Sequence, residues 1–126
     1  MKKLAVIMLV FLPLLACSHK KSASEKDIFD QATKFESTQD YNKALGCYKE
    51  IVDNYPKSDN RYKAMFMVGY IYSEYLKDTK KAVTSYDELL KEYPTCDLAD
   101  DAQALRSAAI SGKDLMSVFQ DSATTK

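Results

Sequence analysis

Glycine and proline are scarce in this chain, with three of each in 126 residues. One proline, Pro13, falls inside an apolar N-terminal run, so too few breakers remain for the many turns of a sheet protein, and helices joined by short turns are expected. Tryptophan is absent and the one histidine is His19. Acid–base, nucleophilic and metal chemistry each need converging groups, and a lone histidine near the N-terminus leaves Cys47 and Cys96 without a histidine partner in the body of the chain. No phosphate-cradling glycine loop occurs. Catalysis, a bound cofactor and a metal site are therefore not expected. An excess of one charge is also missing, since 18 Lys and Arg face 18 Asp and Glu, and nucleic-acid binding would want a clustered basic excess. The one long hydrophobic run, residues 4–15, falls short of the roughly 20 apolar residues that a membrane-spanning helix needs.

That run instead follows Lys2 and Lys3 and ends at Ala16-Cys17, which reads as an export leader over residues 1–16. Leu14-Leu15-Ala16-Cys17 resembles the lipobox of bacterial lipoproteins, although Leu15 is larger than the residue usually found there. The resemblance implies cleavage before Cys17 and a covalent lipid on its sulfur. Several acyl chains make a stable anchor, because each buried methylene contributes about 0.8 kcal/mol. Ser18 is not the aspartate that retains enteric lipoproteins at the inner membrane, so the resemblance implies an outer-membrane anchor with the domain facing the periplasm. The alternative is ordinary leader cleavage that leaves Cys17 unmodified. Residues 17–24 would form the lipidated end and a polar tether. The leader carries two basic residues and no acidic one, so the mature chain would bear two more acidic than basic side chains. Between Cys47 and Cys96 stand 48 residues, and the repeat register places the two at different points of different helices, which favours two half-buried thiols over a bridge.

Internal comparison carries the most information. A shift of 38 aligns residues 43–64 with 81–102 and pairs Lys43/Lys81, Ala44/Ala82, Tyr48/Tyr86, Glu50/Glu88, Tyr55/Tyr93, Pro56/Pro94, Asp59/Asp97 and Ala64/Ala102 without a gap. Each unit reads as two helices. In the first, residues 25–37 turn Ile28, Phe29, Ala32 and Phe35 inward, and residues 41–55 do the same with Tyr41, Ala44, Leu45, Tyr48, Ile51, Val52 and Tyr55 before Pro56. In the second, residues 60–76 place Tyr62, Met65, Phe66, Gly69, Tyr72 and Leu76 on one face, and the next helix runs from Ala82 through Tyr86 to Tyr93 before Pro94. Ser22 with Glu25 and Asp97 with Asp100 are the expected helix caps.

The two units look like the tetratricopeptide repeat, on Ile28-x2-Gln31-Ala32-x2-Phe35 with Ala44-x3-Tyr48-x7-Pro56, and on Met65-x2-Val68-Gly69-x2-Tyr72 with Ala82-x3-Tyr86-x7-Pro94. The linkers Tyr55-Pro56-Lys57-Ser58 and Tyr93-Pro94-Thr95-Cys96 resemble those of an exported bacterial subgroup. That subgroup includes the repeat lipoprotein of the outer-membrane β-barrel assembly machine and the periplasmic repeat protein associated with the Tol-Pal system. The resemblance implies an all-α, right-handed solenoid of antiparallel helix pairs over residues 25–120, with two full repeats and a partial third beginning near Leu98. Gly112 would stop the last full helix, residues 114–120 would lie over the open end of the stack, and residues 121–126 would be a disordered tail.

In this family the first helix of each pair builds the inner face. The positions projecting there would be Phe29 and Thr33, then Phe66, Tyr70 and Ser73, then Ala104 and Ala108, an apolar groove with a tyrosine rim. Such grooves take an extended peptide or an amphipathic helix. Phe29 and Phe66 are weighed between core and groove, because aromatic residues at helical spacing usually pack. The implied function is a non-catalytic, membrane-anchored scaffold that docks an envelope protein partner, in outer-membrane assembly or envelope maintenance. A structural protein that stacks its open ends into a homo-oligomer is the alternative.

Overall fold

The computed structural model describes residues 23–112. The leader, Cys17, His19 and most of the tether lie outside the described residues, as do the segment 114–120 and the tail. Five α-helices follow one another: α1 Glu25–Ser37, α2 Tyr41–Asn54, α3 Arg61–Tyr70, α4 Thr79–Glu92 and α5 Ala99–Ser111. Each packs against the next, so α1/α2 and α3/α4 are two hairpins and α5 begins a third. The all-α solenoid expected from the sequence is the observed fold. Among the described residues no helix is long and apolar enough to cross a membrane.

Local chemistry sets the ends. Ser24 adjoins the first residue of α1, where its Oγ accepts the Asp27 N–H at 3.2 Å and its own N–H donates to Asp27 Oδ2 at 3.1 Å. This reciprocal cap satisfies two N–H groups that the first turn leaves free, and it replaces the expected pairing of Ser22 with Glu25. The expected Asp97 cap is also corrected: Leu98 occupies that position in α5, with no side-chain hydrogen bond. Asp97 stands one residue too early and is instead the largest influence raising the pKa of the Tyr62 phenol. In α4, Asp78 Oδ1 accepts the Lys81 N–H at 3.1 Å. Gly112 ends α5 with a left-handed φ of 66°, a conformation glycine adopts without a Cβ penalty.

The two hairpins differ by one residue. Second helices align at an offset of 38, as in Ala44/Ala82, whereas first helices align at 37, as in Ala32/Gly69 and Phe35/Tyr72. The extra residue is absorbed by a π turn, Ile71–Tyr75, that continues α3 and carries a hydrogen bond from Leu76 N to Ile71 O at 3.0 Å. Both hairpins then leave through a left-handed residue, Gln39 at φ 61° and Lys77 at φ 54°. The following amide closes the turn, from Asp40 to Phe35 O and from Asp78 to Tyr72 O, each at 2.8 Å.

The core forms two clusters joined at α3. Ala64, Val68 and Ile71 face α1 and α2, while Met65 packs with Ala82, Tyr86, Leu89, Ala102 and Leu105 from α4 and α5. The sequence stripe for residues 60–76 omitted Ala64, Val68 and Ile71 because it assumed one buried face. A central helix is covered on two sides and is apolar nearly all round. Small residues set the spacing: Ala32, Ala44, Ala64, Ala82 and Ala102 are fully buried, and an ideal Cβ on Gly69 would lie 2.7 Å from Tyr86 Cε1. Arg61 clips one hairpin to the next, since its Nε donates to Val52 O at 2.9 Å at the end of α2 and its other arm pairs with Glu92 and donates to Tyr93 Oη at 3.3 Å. Arg106 of α5 pairs with Asp87 of α4 in the same manner.

Candidate functional site

The residues named for repeat packing divide by depth. Ala32, Ala44, Tyr48, Gly69, Ala82 and Tyr86 are buried, Phe35 and Tyr72 are half-buried, and Pro56 and Pro94 stand exposed just after α2 and α4. Burial pushes the Tyr48 and Tyr86 phenols well above their ordinary range. Tyr48 donates to Glu36 Oε2 at 3.1 Å, across the first hairpin. Among the described residues Tyr86 Oη has no partner in hydrogen-bonding geometry, although the Ser73 hydroxyl lies beside it and offsets part of the effect of burial.

Phe29 and Phe66 belong to both core and surface. Phe29 meets Tyr48 edge to face at 5.4 Å, and Phe66 meets Tyr86 likewise at 6.0 Å, so one contact recurs in each hairpin. Both phenylalanines remain half-buried, with the rest of the ring at the surface. Thr33 is exposed, and its hydroxyl donates to Phe29 O on its own helix at 3.1 Å. Tyr70 is half-buried and stacks against Phe66 at 6.5 Å. Ser73 donates to Tyr70 O at 3.3 Å. On α5, Ala104 is half-buried, but Ala108 is only 6% exposed and belongs to the packed side of the helix, which corrects its place on the open groove.

The face built by α1 and α3 extends further than the sequence indicated. Tyr75, at the end of the π turn, stays 42% exposed while meeting Tyr70 edge to face at 5.8 Å and stacking on Tyr41 at 3.6 Å with the planes 8° apart. Phe66, Tyr70, Tyr75 and Tyr41 thus form a continuous ladder of rings. Two carboxylates border it. Glu36 is half-buried, and desolvation raises its carboxyl pKa against the opposing effect of the Tyr48 hydroxyl. Glu74 follows Ser73, whose Oγ lies 3.2 Å from Glu74 Oε1. Tyr75, Glu36 and Glu74 escaped the sequence reading, which had Tyr41 as an inward packing residue and not as part of this face, and the change of offset from 37 to 38 between Tyr72 and Asp78 was the signal that could have revealed the π turn and Tyr75.

A second concavity lies on the other side of the stack. A cleft of about 470 Å³ opens between α2 and α4 over Val52, Met65, Val68 and Tyr72, with Lys49 and Glu88 on its rims. Its side chains come chiefly from second helices, so the choice of first-helix positions had missed it. Among the described residues Cys47 and Cys96 form no disulfide, each is half-buried beside a different core cluster, and burial raises the Cys47 thiol. Among the described residues no group of three His, Cys, Asp or Glu side chains converges.

Comparison with protein families matches the tetratricopeptide repeat at residues 15–58 and 63–95. Comparison with curated proteins and with solved structures gave no match.

Proposed function

Because the chain belongs to the tetratricopeptide repeat family, whose stacked hairpins mediate protein–protein interaction, we propose that it is a non-catalytic scaffold that docks a partner protein on the ring-lined face of α1 and α3 and holds it at a bacterial membrane through a lipid on Cys17. The observation that carries the docking face is the ladder from Phe66 through Tyr70 and Tyr75 to Tyr41, which leaves aromatic surface open on otherwise packed helices. Aromatic anchors with few rotatable bonds are the side chains that dominate binding energy at interfaces. The anchor rests on Lys2-Lys3, the apolar run and Leu14-Leu15-Ala16-Cys17. Together they make the anchor part of the mechanism, since a docked partner confined near one surface has a raised effective concentration there. The partner is an envelope protein, the site of action is the periplasmic face of the outer membrane, and the role is assembly or maintenance of that envelope.

Two measurements test this reading. Metabolic labelling with an alkynyl fatty acid should mark the wild type and not Cys17→Ser, and equal labelling of both would remove the anchor. Affinity purification should lose its characteristic partner in Tyr70→Ser with Tyr75→Ser, a pair that leaves the Phe66–Tyr86 contact intact. An unchanged partner list would remove the face. The homo-oligomer is the second reading, favoured by Ile110, which is 59% exposed on the last described helix. A sedimentation mass that stays monomeric as concentration rises would dismiss it.

A further inference from the structure

Two sets of the described aromatic side chains differ in what stands over their rings. Phe35, Tyr62, Tyr72 and Tyr93 each carry a cation of the same chain over the ring, namely Lys43, Lys63, Lys81 and Arg61, at 5.3 to 6.0 Å from the centroid. Among the described residues no such cation stands over Phe66, Tyr70, Tyr75 or Tyr41. The carboxylates beside this ladder are also weakly matched. Glu36 makes no ion pair among the described residues, and its hydrogen bond comes from the neutral Tyr48 hydroxyl. Glu74 has Lys77 only at 3.8 Å, and that lysine side chain is 73% exposed.

Glu36 and the rings feel one another. Desolvation raises the phenols of Tyr41 and Tyr75, and the negative charge of Glu36 pushes both further up. A carboxylate drawn partly out of water and left with a neutral partner retains much of its desolvation penalty, which an opposite charge would offset. A ring face attracts a cation through its quadrupole, more strongly where water is excluded. Rings and carboxylates therefore favour the same kind of visitor, and among the described residues no cation stands over these rings or pairs with Glu36.

We infer that the ladder Phe66–Tyr70–Tyr75–Tyr41, bordered by Glu36 and Glu74, receives an arginine- or lysine-bearing segment of the partner protein. The inference rests on the docking face proposed above and specifies the chemistry of its occupant. Arginine fits best, because its planar guanidinium stacks on a ring while donating to a carboxylate. The π turn is the device that makes the site, since its extra residue ends the helix on Tyr75 between Tyr70 and Tyr41.

The test uses the full-length chain in a non-ionic detergent, with side-chain-labelled tyrosines observed by NMR. Acetylated tetra-arginine amide should shift the Tyr41, Tyr70 and Tyr75 ring signals saturably, at least tenfold more tightly than acetylated tetra-glutamate amide. Glu36→Gln with Glu74→Gln preserves shape and should weaken tetra-arginine at least tenfold. Tyr75→Leu should abolish the shifts at Tyr41 and Tyr70. Equal affinity for the two peptides, or arginine affinity unchanged in the double glutamine variant, overturns the inference. If tetra-arginine fails to bind while partner capture still depends on Tyr70 and Tyr75, the charge assignment falls alone. If neither depends on those tyrosines, the docking face falls with it.

Discussion

Replacing Gly69 by alanine separates the two forces that act at this position. An alanine is worth about 1 kcal/mol over glycine in a helix interior, so propensity alone makes Gly69→Ala stabilising. Packing opposes it. The added Cβ would stand 2.7 Å from Tyr86 Cε1 and 2.9 Å from both Cδ1 and Cζ, where carbon atoms prefer about 3.5–4.0 Å. Tyr86 has no exposed surface and carries Phe66 on one flank, so its ring has nowhere to retreat. Overpacking of this kind costs about 1–3 kcal/mol, and separating α3 from α4 to relieve it would disturb the second core cluster. The expected net result lies between no gain and a loss of about 2 kcal/mol. Gly46 supplies the control, because nothing among the described residues lies within 4 Å of its ideal Cβ. Gly46→Ala should stabilise by about 0.5–1 kcal/mol. Urea denaturation followed by circular dichroism measures both. Adding Tyr86→Leu to Gly69→Ala should recover part of the loss relative to the sum of the single changes. If Gly69→Ala stabilises as much as Gly46→Ala, the close approach of α3 and α4 at Tyr86 is wrong.

Further expectations follow from the same structure. Tyr86→Phe removes a buried hydroxyl that lacks a partner among the described residues, so thermal unfolding should show stability unchanged or raised by up to about 1 kcal/mol, and a loss of about 1 kcal/mol or more would mean the hydroxyl is satisfied. Arg61→Met keeps the apolar stem but frees Val52 O and Glu92, and should cost about 1–2 kcal/mol in urea titrations. The Glu36 carboxyl is held above its ordinary range, so the folded state binds that proton more readily than the unfolded state. Its contribution is therefore full below the ordinary carboxylate range and is lost as pH rises through the raised value. Glu36→Gln should gain on the wild type between about pH 4 and 7 in melting scans, and a constant difference across that window would contradict the shift.

The helices were legible because their signals are local. Apolar spacing, Pro56, Pro94 and Gly112 placed α1, α2 and α5 within a residue or two of where they lie. The paired Tyr48 and Tyr86 were legible through the offset of 38, and both are core. What escaped depends on three dimensions. Ile71 is buried because α3 is covered from two sides, which a single-stripe reading of one helix does not register. The cap on α5 was misplaced because the turn after Pro94 leaves Leu98, not Asp97, next to the helix. The site was half legible. Phe66 and Tyr70 follow from helical phase, but Tyr75 reaches the same face only because a π turn resets that phase, and Tyr41 joins it from the other helix of the first hairpin. Ala108 was misassigned because its repeat position matches Tyr70 while its small side chain packs down.

Site-specific photo-crosslinking in living cells tests the central claim most directly. Benzoylphenylalanine in place of Tyr75 lies on the proposed docking face, and the same residue in place of Lys91 lies exposed on α4. Tyr75 should give a discrete heterologous cross-link that disappears when Glu36→Gln and Glu74→Gln are added, whereas Lys91 should give none. Absence of a cross-link at Tyr75, or the same cross-link from both positions, would contradict docking on this face.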